Sequence, residues 1–351
     1  MSQDNGQARW QAIWRTRNGK ALALLPIAWI YGALVRIRHW LYAHQWLPVH
    51  RVNVPVVVVG NVVVGGAGKT PTVLALLHHL KTRGWHPGVI SRGYGRDGDA
   101  PLEVLPSTPP SACGDEPALI RRQAKVPVVV ARQRAEAAKA LLSHHPDVDL
   151  IVCDDGLQHL ALGRDLAIAV FDDRGTGNGW LLPAGLLREP WPARDGNAFA
   201  PDLVLHQSTS TQSTARCPAA HFTAQRALSP EATNALGERQ TLSALKANKL
   251  TAVAGIARPK PFFDMLEAAG LSLQRTVALP DHANEATYIA VLHKLDGLLI
   301  CTEKDAVKLF ELVQQRYPAM AARIWTVPLV LRVDPEFFSA VDNRLSALGL
   351  N

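Results

Sequence analysis

The sequence predicts an α/β protein: a mostly parallel sheet of the P-loop type, a second, smaller α/β unit, and an N-terminal amphipathic helix. Three observations carry this. Val56-Val-Val-Val59 is an uninterrupted β-branched run, the composition of a parallel strand buried on both faces. A glycine-rich turn follows, and Val73, Leu76, Leu77 and Leu80 then recur at helical spacing until Gly84, a natural stop. Further apolar runs at 88–91, 126–130 and 148–153 alternate with helical stretches, as in a βαβ sheet.

The turn after the first strand reads Val63-Val64-Gly65-Gly66-Ala67-Gly68-Lys69-Thr70. Strand, glycine loop, Lys-Thr and helix form a phosphate-binding arrangement: loop amides and the helix N-terminus surround phosphates, Lys69 reaches the β/γ oxygens, and the Thr70 hydroxyl meets Mg²⁺. Pro71 suits the first helical turn, where a missing N–H costs nothing. The strict G-x-x-x-x-G-K-[ST] spacing is not met, because its first glycine falls on Val63. The extra lysine of partitioning-type ATPases falls on Val64 and is likewise missing.

A chain of 351 residues is long enough for two domains. Its formal charge of +7, from 37 Lys+Arg against 30 Asp+Glu, suits an anionic partner. No dense basic run or aromatic-basic ladder points to nucleic acid. Cys113, Cys153, Cys217 and Cys301 are widely spaced and form no C-x-x-C pair, which argues against a zinc site or disulfide frame and fits a reducing compartment.

Before the first strand, Ala21 to Val35 is uncharged and mostly apolar, but shorter than the roughly 20 residues of a membrane span. Ile27, Ile30, Leu34, Ile37 and Leu41 lie on one helical face, and Trp10, Trp14, Trp29, Trp40 and Trp46 cluster with Arg36 and Arg38 nearby. Tryptophan and arginine beside an apolar stripe suit the membrane–water interface. The expected division is 1–50 membrane-associating helix, 51–225 nucleotide domain and 226–351 smaller domain, with the molecule a monomer.

Within the nucleotide domain, the strand 88–91 ends in Ser91-Arg92-Gly-Tyr94-Gly95-Arg96, at the sheet edge where α/β proteins hold ligands. Asp115-Glu116 opens a helix, and on residues alone its carboxylates read as partners of the helix dipole. Strand 126–130 is followed by Arg132 and Arg134. The strand 148–153 runs into Asp154-Asp155, an apolar strand ending in acid downstream of a P-loop, where a carboxylate holds Mg²⁺. Strands at 166–171 and 203–206 complete the first sheet. The second unit begins with a strand–turn–helix at Thr251-Ala-Val-Ala-Gly255, and 297–301 and 324–330 supply further strands. Lys304 leaves the end of a strand and is a cleft candidate.

Ordered blocks along residues 55–310 resemble one family. They are Gly60-Asn61, Gly-Gly-x-Gly-Lys-Thr-Pro71, Ser91-Arg-Gly-Tyr-Gly95, Gly114-Asp-Glu-Pro117, Asp154-Asp-Gly-Leu-Gln-His159, Gly177-Asn-Gly179, Leu182-Pro-Ala-Gly185, Leu187-Arg-Glu-Pro190 and Thr302-Glu-Lys-Asp-Ala306. The chain is similar in these to tetraacyldisaccharide 4'-kinases, which phosphorylate the 4'-hydroxyl of an acylated glucosamine disaccharide 1-phosphate in lipid A biosynthesis. The resemblance implies ATP and Mg²⁺, an acylated disaccharide lipid as substrate, and the cytoplasmic face of the inner membrane. It implies Asp115 as catalytic carboxylate, with His282 of Pro280-Asp281-His282-Ala283 as its partner; many members read Asp-His-His where Ala283 stands. Lys69 completes the expected catalytic set, Thr70, Asp154, Asp155 and Glu189 the metal set, and Arg92, Tyr94, Arg134 and Arg188 the substrate set. The residues alone leave two other readings, a kinase for a soluble metabolite and an ATP-driven membrane switch. The Trp-rich stripe disfavours the first and Val64 the second.

Overall fold

The structure, a computed structural model, describes residues 13–65, 68–96, 98–193, 199–207, 219–256, 259–280 and 283–348. The first unit runs α1 (Gly19–Ala23), α2 (Leu25–Ala43), β1 (Val56–Gly60), α3 (Lys69–Thr82), β2 (Pro87–Ser91), β3 (Leu102–Glu103) and α4 (Pro110–Cys113). It continues with α5 (Asp115–Ala124), β4 (Val128–Val130), α6 (Arg134–His144), β5 (Leu150–Asp154), β6 (Leu166–Asp172), β7 (Leu203–Gln207) and β8 (Ala220–Leu228). The second unit comprises β9 (Glu231–Asn234), β10 (Arg239–Thr241), α7 (Leu242–Leu245), β11 (Leu250–Ala254) and α8 (Lys260–Ala268). To it also belong β12 (Leu273–Ala278), α9 (Glu285–Leu292), β13 (Leu298–Cys301), α10 (Glu303–Arg316) and β14 (Ile324–Thr326). The chain then closes with β15 (Leu329–Val333) and α11 (Pro335–Ser346).

The valine run is the centre of a nine-stranded sheet in the order β15-β8-β7-β6-β1-β5-β2-β4-β3. Its side chains divide by parity, as a pleat requires. Val57 and Val59 pack with Val73, Leu76, Leu77 and Leu80 of α3, whereas Val56 and Val58 pack with Leu141, Phe171 and Leu187 on the other face. Burying a valine fully stabilises the fold by roughly 1.5–3 kcal/mol, which makes both faces of β1 costly to alter. Strands β8 through β4 are parallel, with β15 and β3 antiparallel at the edges. The parallel strands therefore deliver their C-terminal ends to one edge, where β1, β5 and β2 release Asn61, Asp155 and Arg92 and β7 ends at Gln207.

The second sheet is ordered β10-β9-β14-β13-β11-β12. Sheet membership departs from the division expected from sequence, 51–225 and 226–351. Strand β8 runs to Leu228 within the first sheet, and β15 returns to pair with it, Leu329 opposite Leu228. Helix α11 follows β15 home: Phe337, Val341 and Leu345 join the core beneath α3. The stretch 324–330, read from sequence as one strand region, is two strands in different sheets. Val327-Pro328 separates them, because a proline has no N–H for a ladder.

At the N-terminus, α2 contacts the first unit through its small residues. Ala28 and Gly32 are buried, and a Cβ on Gly32 would lie 2.7 Å from Leu181 Cδ1. The apolar stripe faces outward instead: Ile27, Trp29, Ile30, Leu34, Ile37 and Trp40 are all about half exposed or more, Trp29 reaching 69%. No helix among the described residues is long and apolar enough to cross a membrane. Trp10 lies outside the described residues. Cys113, Cys153 and Cys301 are buried free thiols.

Candidate active site

The loop after β1 folds around Asn61, which is fully buried. Its Nδ2 donates to the Gly65 carbonyl at 2.9 Å, and its Oδ1 faces Lys69 Nζ at 3.4 Å. Lys69 Nζ is also 3.5 Å from Asp155 Oδ1 and is itself mostly shielded. Gly68 adopts φ +76, a left-handed conformation glycine favours, and a Cβ there would come within 1.8 Å of Gln207 Oε1. Gln207 clamps this point from the neighbouring strand end, donating to Gly68 O at 2.6 Å and to Thr72 Oγ1 at 2.7 Å, and Arg226 Nε donates to its Oε1. Thr70 sits half-buried in the first turn of α3. Gly65 and Gly68 thus both take left-handed turns between β1 and α3, and Gly66 and Ala67 lie outside the described residues.

Two expected loop contacts differ. Val63 is fully buried and bridges Leu187, while Val64 donates its N–H to Leu186 O at 2.9 Å and gives its carbonyl to Arg174 Nη1 at 3.1 Å. Both anchor the start of the loop to the 186–188 segment; the Val64 amide is already committed to a protein carbonyl.

Asp154 and Asp155 are consecutive, yet their environments push them apart. Burial, then the Asp155 charge, raises the Asp154 carboxyl to about 6, against the opposing pull of Lys69. One Asp154 oxygen accepts from Ser91 Oγ at 3.3 Å; the other, Oδ1, is buried with no hydrogen-bond partner among the described residues. For Asp155 burial also raises the carboxyl, but Lys69, Arg188 and Arg134 together outweigh it and hold it below its usual value. Asp155 adopts φ +49, which turns its side chain back toward Lys69 and Arg188.

Arg188 converges on the same point. Its Nη1 lies 3.5 Å from Asn61 Oδ1, 3.5 Å from Asp155 Oδ1 and 3.4 Å from Gln158 Oε1. Glu189 turns to the helix side, 3.9 Å from His39. Arg92 and Tyr94 are exposed at the rim, Tyr94 at 67%. Arg134, expected on the substrate, is only 3% exposed: it lies behind the acidic pair and reaches the Asp154 and Asp155 carbonyls at 3.5 Å. Its position at the start of α6, which packs on β2 and β4, turns it toward these carbonyls. His159 is held neutral, its pKa lowered to about 4 by burial and then by Arg134, Arg92 and Arg38. That cluster of arginines gives this rim a positive potential.

Asp115 opens α5 and is 5% exposed, facing Lys308 Nζ at 3.1 Å from the second unit; Glu116 faces Lys304 Nζ at 3.2 Å. His282 lies outside the described residues. Gln207 and Lys308 are functional candidates that residue patterns did not single out, whereas Asn61 and Gln158 stand in the motif blocks without an assigned role.

The donor set suits a hydrated divalent ion. Among the described residues no three His, Cys, Asp or Glu side chains group as a cation cage. Mg²⁺ is commonly held by one or two carboxylates together with phosphates, and the orphaned Asp154 Oδ1 and the half-buried Thr70 hydroxyl are donors of that kind.

A profile of the family described as "Tetraacyldisaccharide-1-P 4'-kinase" matches residues 20–346. A "Tetraacyldisaccharide 4'-kinase" of Polaromonas naphthalenivorans is 50% identical over 337 residues, covering 95% of this chain and 94% of that one. A protein of the same name from Acidovorax sp. JS42 is 49% identical over 97% of this chain and 95% of its own length. The crystal structure of LpxK from Aquifex aeolicus in complex with ATP shares the fold, with a TM-score of 0.75, 24% identity, and coverage of 93% of this chain and 99% of that chain. Profile and relatives agree over nearly the whole sequence, and the chain belongs to the tetraacyldisaccharide 4'-kinase family.

Proposed function

We propose that this chain transfers the γ-phosphoryl group of ATP to the 4'-hydroxyl of a tetraacylated glucosamine disaccharide 1-phosphate, working at the cytoplasmic face of the inner membrane as a peripheral protein. One observation carries the lipid reading: the helix that exposes apolar residues also touches the catalytic cluster. Tyr31 of α2 donates to Arg188 O at 2.7 Å, Arg38 donates to Gln158 O at 3.0 Å, and Arg188 in turn meets Asn61 and Asp155 beside Lys69. An amphipathic helix resting at the headgroup level would present a lipid headgroup to this cluster while its acyl chains stay in the bilayer.

Phosphoryl transfer needs positioning and charge neutralisation more than covalent chemistry. Lys69 neutralises the β/γ oxygens, and the loop from Gly65 to Thr70 surrounds them. Thr70 and Asp154, with Asp155 close by, would hold Mg²⁺, which would supply charge neutralisation for the transferring phosphoryl group. Asp115 takes the proton of the attacking hydroxyl, assisted by His282; the hydroxyl oxygen forms the new P–O bond and ADP leaves with the electrons of the broken one. Arg188 and the Arg92 rim bind the anionic disaccharide.

The test is incubation of the full chain with labelled ATP, Mg²⁺ and liposomes containing the disaccharide 1-phosphate. Label should pass to the lipid phase, and Asp115→Asn should lower that rate by roughly 10²–10⁴-fold, the usual contribution of a positioned base, with ATP affinity nearly unchanged. Label appearing only in free phosphate or in a water-soluble product would overturn the reading.

A further inference from the structure

The catalytic carboxylate proposed above belongs to the first unit, yet the cation beside it comes from the second. Lys308 Nζ lies 3.1 Å from Asp115 Oδ2 and also donates to the Ala283 carbonyl at 3.1 Å. One ammonium therefore grips a first-unit carboxylate and a second-unit backbone turn together. The Asp115 side chain is 6% exposed and that of Lys308 26%, so the contact is largely withdrawn from water, where a charge pair is screened least.

The helix that presents Lys308 is itself fixed. Thr302 caps α10 by accepting from Asp305 N at 3.3 Å, and the buried Asp305 carboxylate accepts from Gly255 N at 2.9 Å and from Tyr288 OH at 2.6 Å. One turn on, Val307 is 3% exposed and packs in the core of the first unit, while Arg122 Nη1 reaches its carbonyl at 3.4 Å. Lys304, one turn before Lys308, takes the neighbouring carboxylate of Glu116 at 3.2 Å. Two lysines four apart on one helix thus meet two consecutive carboxylates at the start of another. That is more order than a contact between domains needs.

We propose that Lys308 is a positioning residue for Asp115, delivering across the cleft the charge that fixes the rotamer and the ionised state of the base. The inference rests on the reading of Asp115 as base. A base must be aimed as well as ionised, and a displacement of about 1 Å costs on the order of 10²-fold in rate. Lysine suits the task because its three rotatable donors serve the carboxylate and the Ala283 carbonyl together.

The experiment is a double-mutant cycle on the full chain with Mg²⁺-ATP and the disaccharide 1-phosphate in micelles. Lys308→Met should lower kcat on the order of 10²-fold while the KM for ATP changes less than about threefold, and Lys308→Arg should restore much of the loss. In the Asp115→Asn background Lys308→Met should cost almost nothing further, because it acts through a group already removed. Lys308→Gln, which keeps length without charge, replaces the methionine variant if that one does not fold. Losses that multiply, or a Lys308→Met enzyme with normal kcat beside an impaired Asp115→Asn enzyme, would refute the positioning role alone. A fully active Asp115→Asn enzyme would remove the base reading and this inference with it.

Discussion

At the end of β1 the backbone turns through Gly65 and Gly68 into α3; at the end of β11 it turns at Gly255 toward α8. Both are parallel strands buried over their whole length, and both point amide groups out of a sheet edge. In the second unit that edge already holds an anion of its own. Both oxygens of Asp305 accept from Gly255 N, at 2.9 and 3.0 Å, and a Cβ on Gly255 would lie 2.6 Å from Oδ1. In the first unit the edge carries a cation, Lys69, among Asn61 and Asp155, and an unpartnered oxygen on Asp154. The same strand–turn–helix faces an internal carboxylate in one unit and a lysine ammonium in the other, the charge that the proposed phosphate site needs. A glycine turn after a strand is thus no evidence of ligand binding until the charge facing it is known.

The largest effect expected from breaking this contrast is on the cationic side. Lys69→Ala should lower kcat by on the order of 10³-fold or more, since mobile water does not replace a preorganised charge. Its melting temperature should stay close to that of the parent, because Asp155 keeps Arg188 at 3.5 Å. A folded Lys69→Ala protein with near-normal turnover would take the loop out of the mechanism. On the anionic side the effect is on stability. Asp305→Ala leaves Gly255 N–H, Tyr288 OH and Thr302 Oγ1 without their acceptor and should cost about 3 kcal/mol in urea unfolding. ATP affinity measured by calorimetry should be unaffected; a loss of nucleotide binding equal to that of Lys69→Ala would show that the two turns are not independent.

The smallest effect sharpens why Asp305 is tolerated. Glu303, two residues earlier, is half-buried, and its partial burial raises its carboxyl to about 7 despite donation from Leu329 N and Gln123 Nε2. A carboxyl whose folded pKa lies above its unfolded value favours the protonated form when folded. Its stabilising contribution is complete below about 4.5, the ordinary value, and is lost as pH rises to about 7. Glu303→Gln should remove that slope and melt about 2–4 °C above the parent at pH 8. Identical melting curves for the two proteins from pH 4.5 to 8 would show that Glu303 does not titrate in this window.

Where the candidate residues fall in the fold was readable in sequence because they are local to strand ends. A four-valine run must be a central strand, so the loop after it must leave the C-terminal edge, and Asp154 is where the neighbouring apolar run stops. Arg134 shows the converse: its place after a strand suggests a ligand at the rim, whereas in the fold it is buried and turned to backbone carbonyls. The stripe on α2 shows a further limit. Helical periodicity identified the apolar face, but only packing reveals that Ala28 and Gly32 meet the protein and that the larger apolar residues look outward.

Taken alone, the chain determined its α/β class, the glycine turn after the first strand, the apolar stretch before that strand and the acidic strand end, because each depends on residues within a few positions of one another. Tertiary structure decided what depends on distant residues. It returned β15 and α11 to the first sheet, opposed the Asp154 and Asp155 carboxyls through their differing neighbours, and set Lys308 beside Asp115 from the far side of the cleft. Burial and Coulomb interaction act through space and decay over a few ångströms, so the groups that tune a carboxylate are those folding brings near, however far apart they stand in the chain.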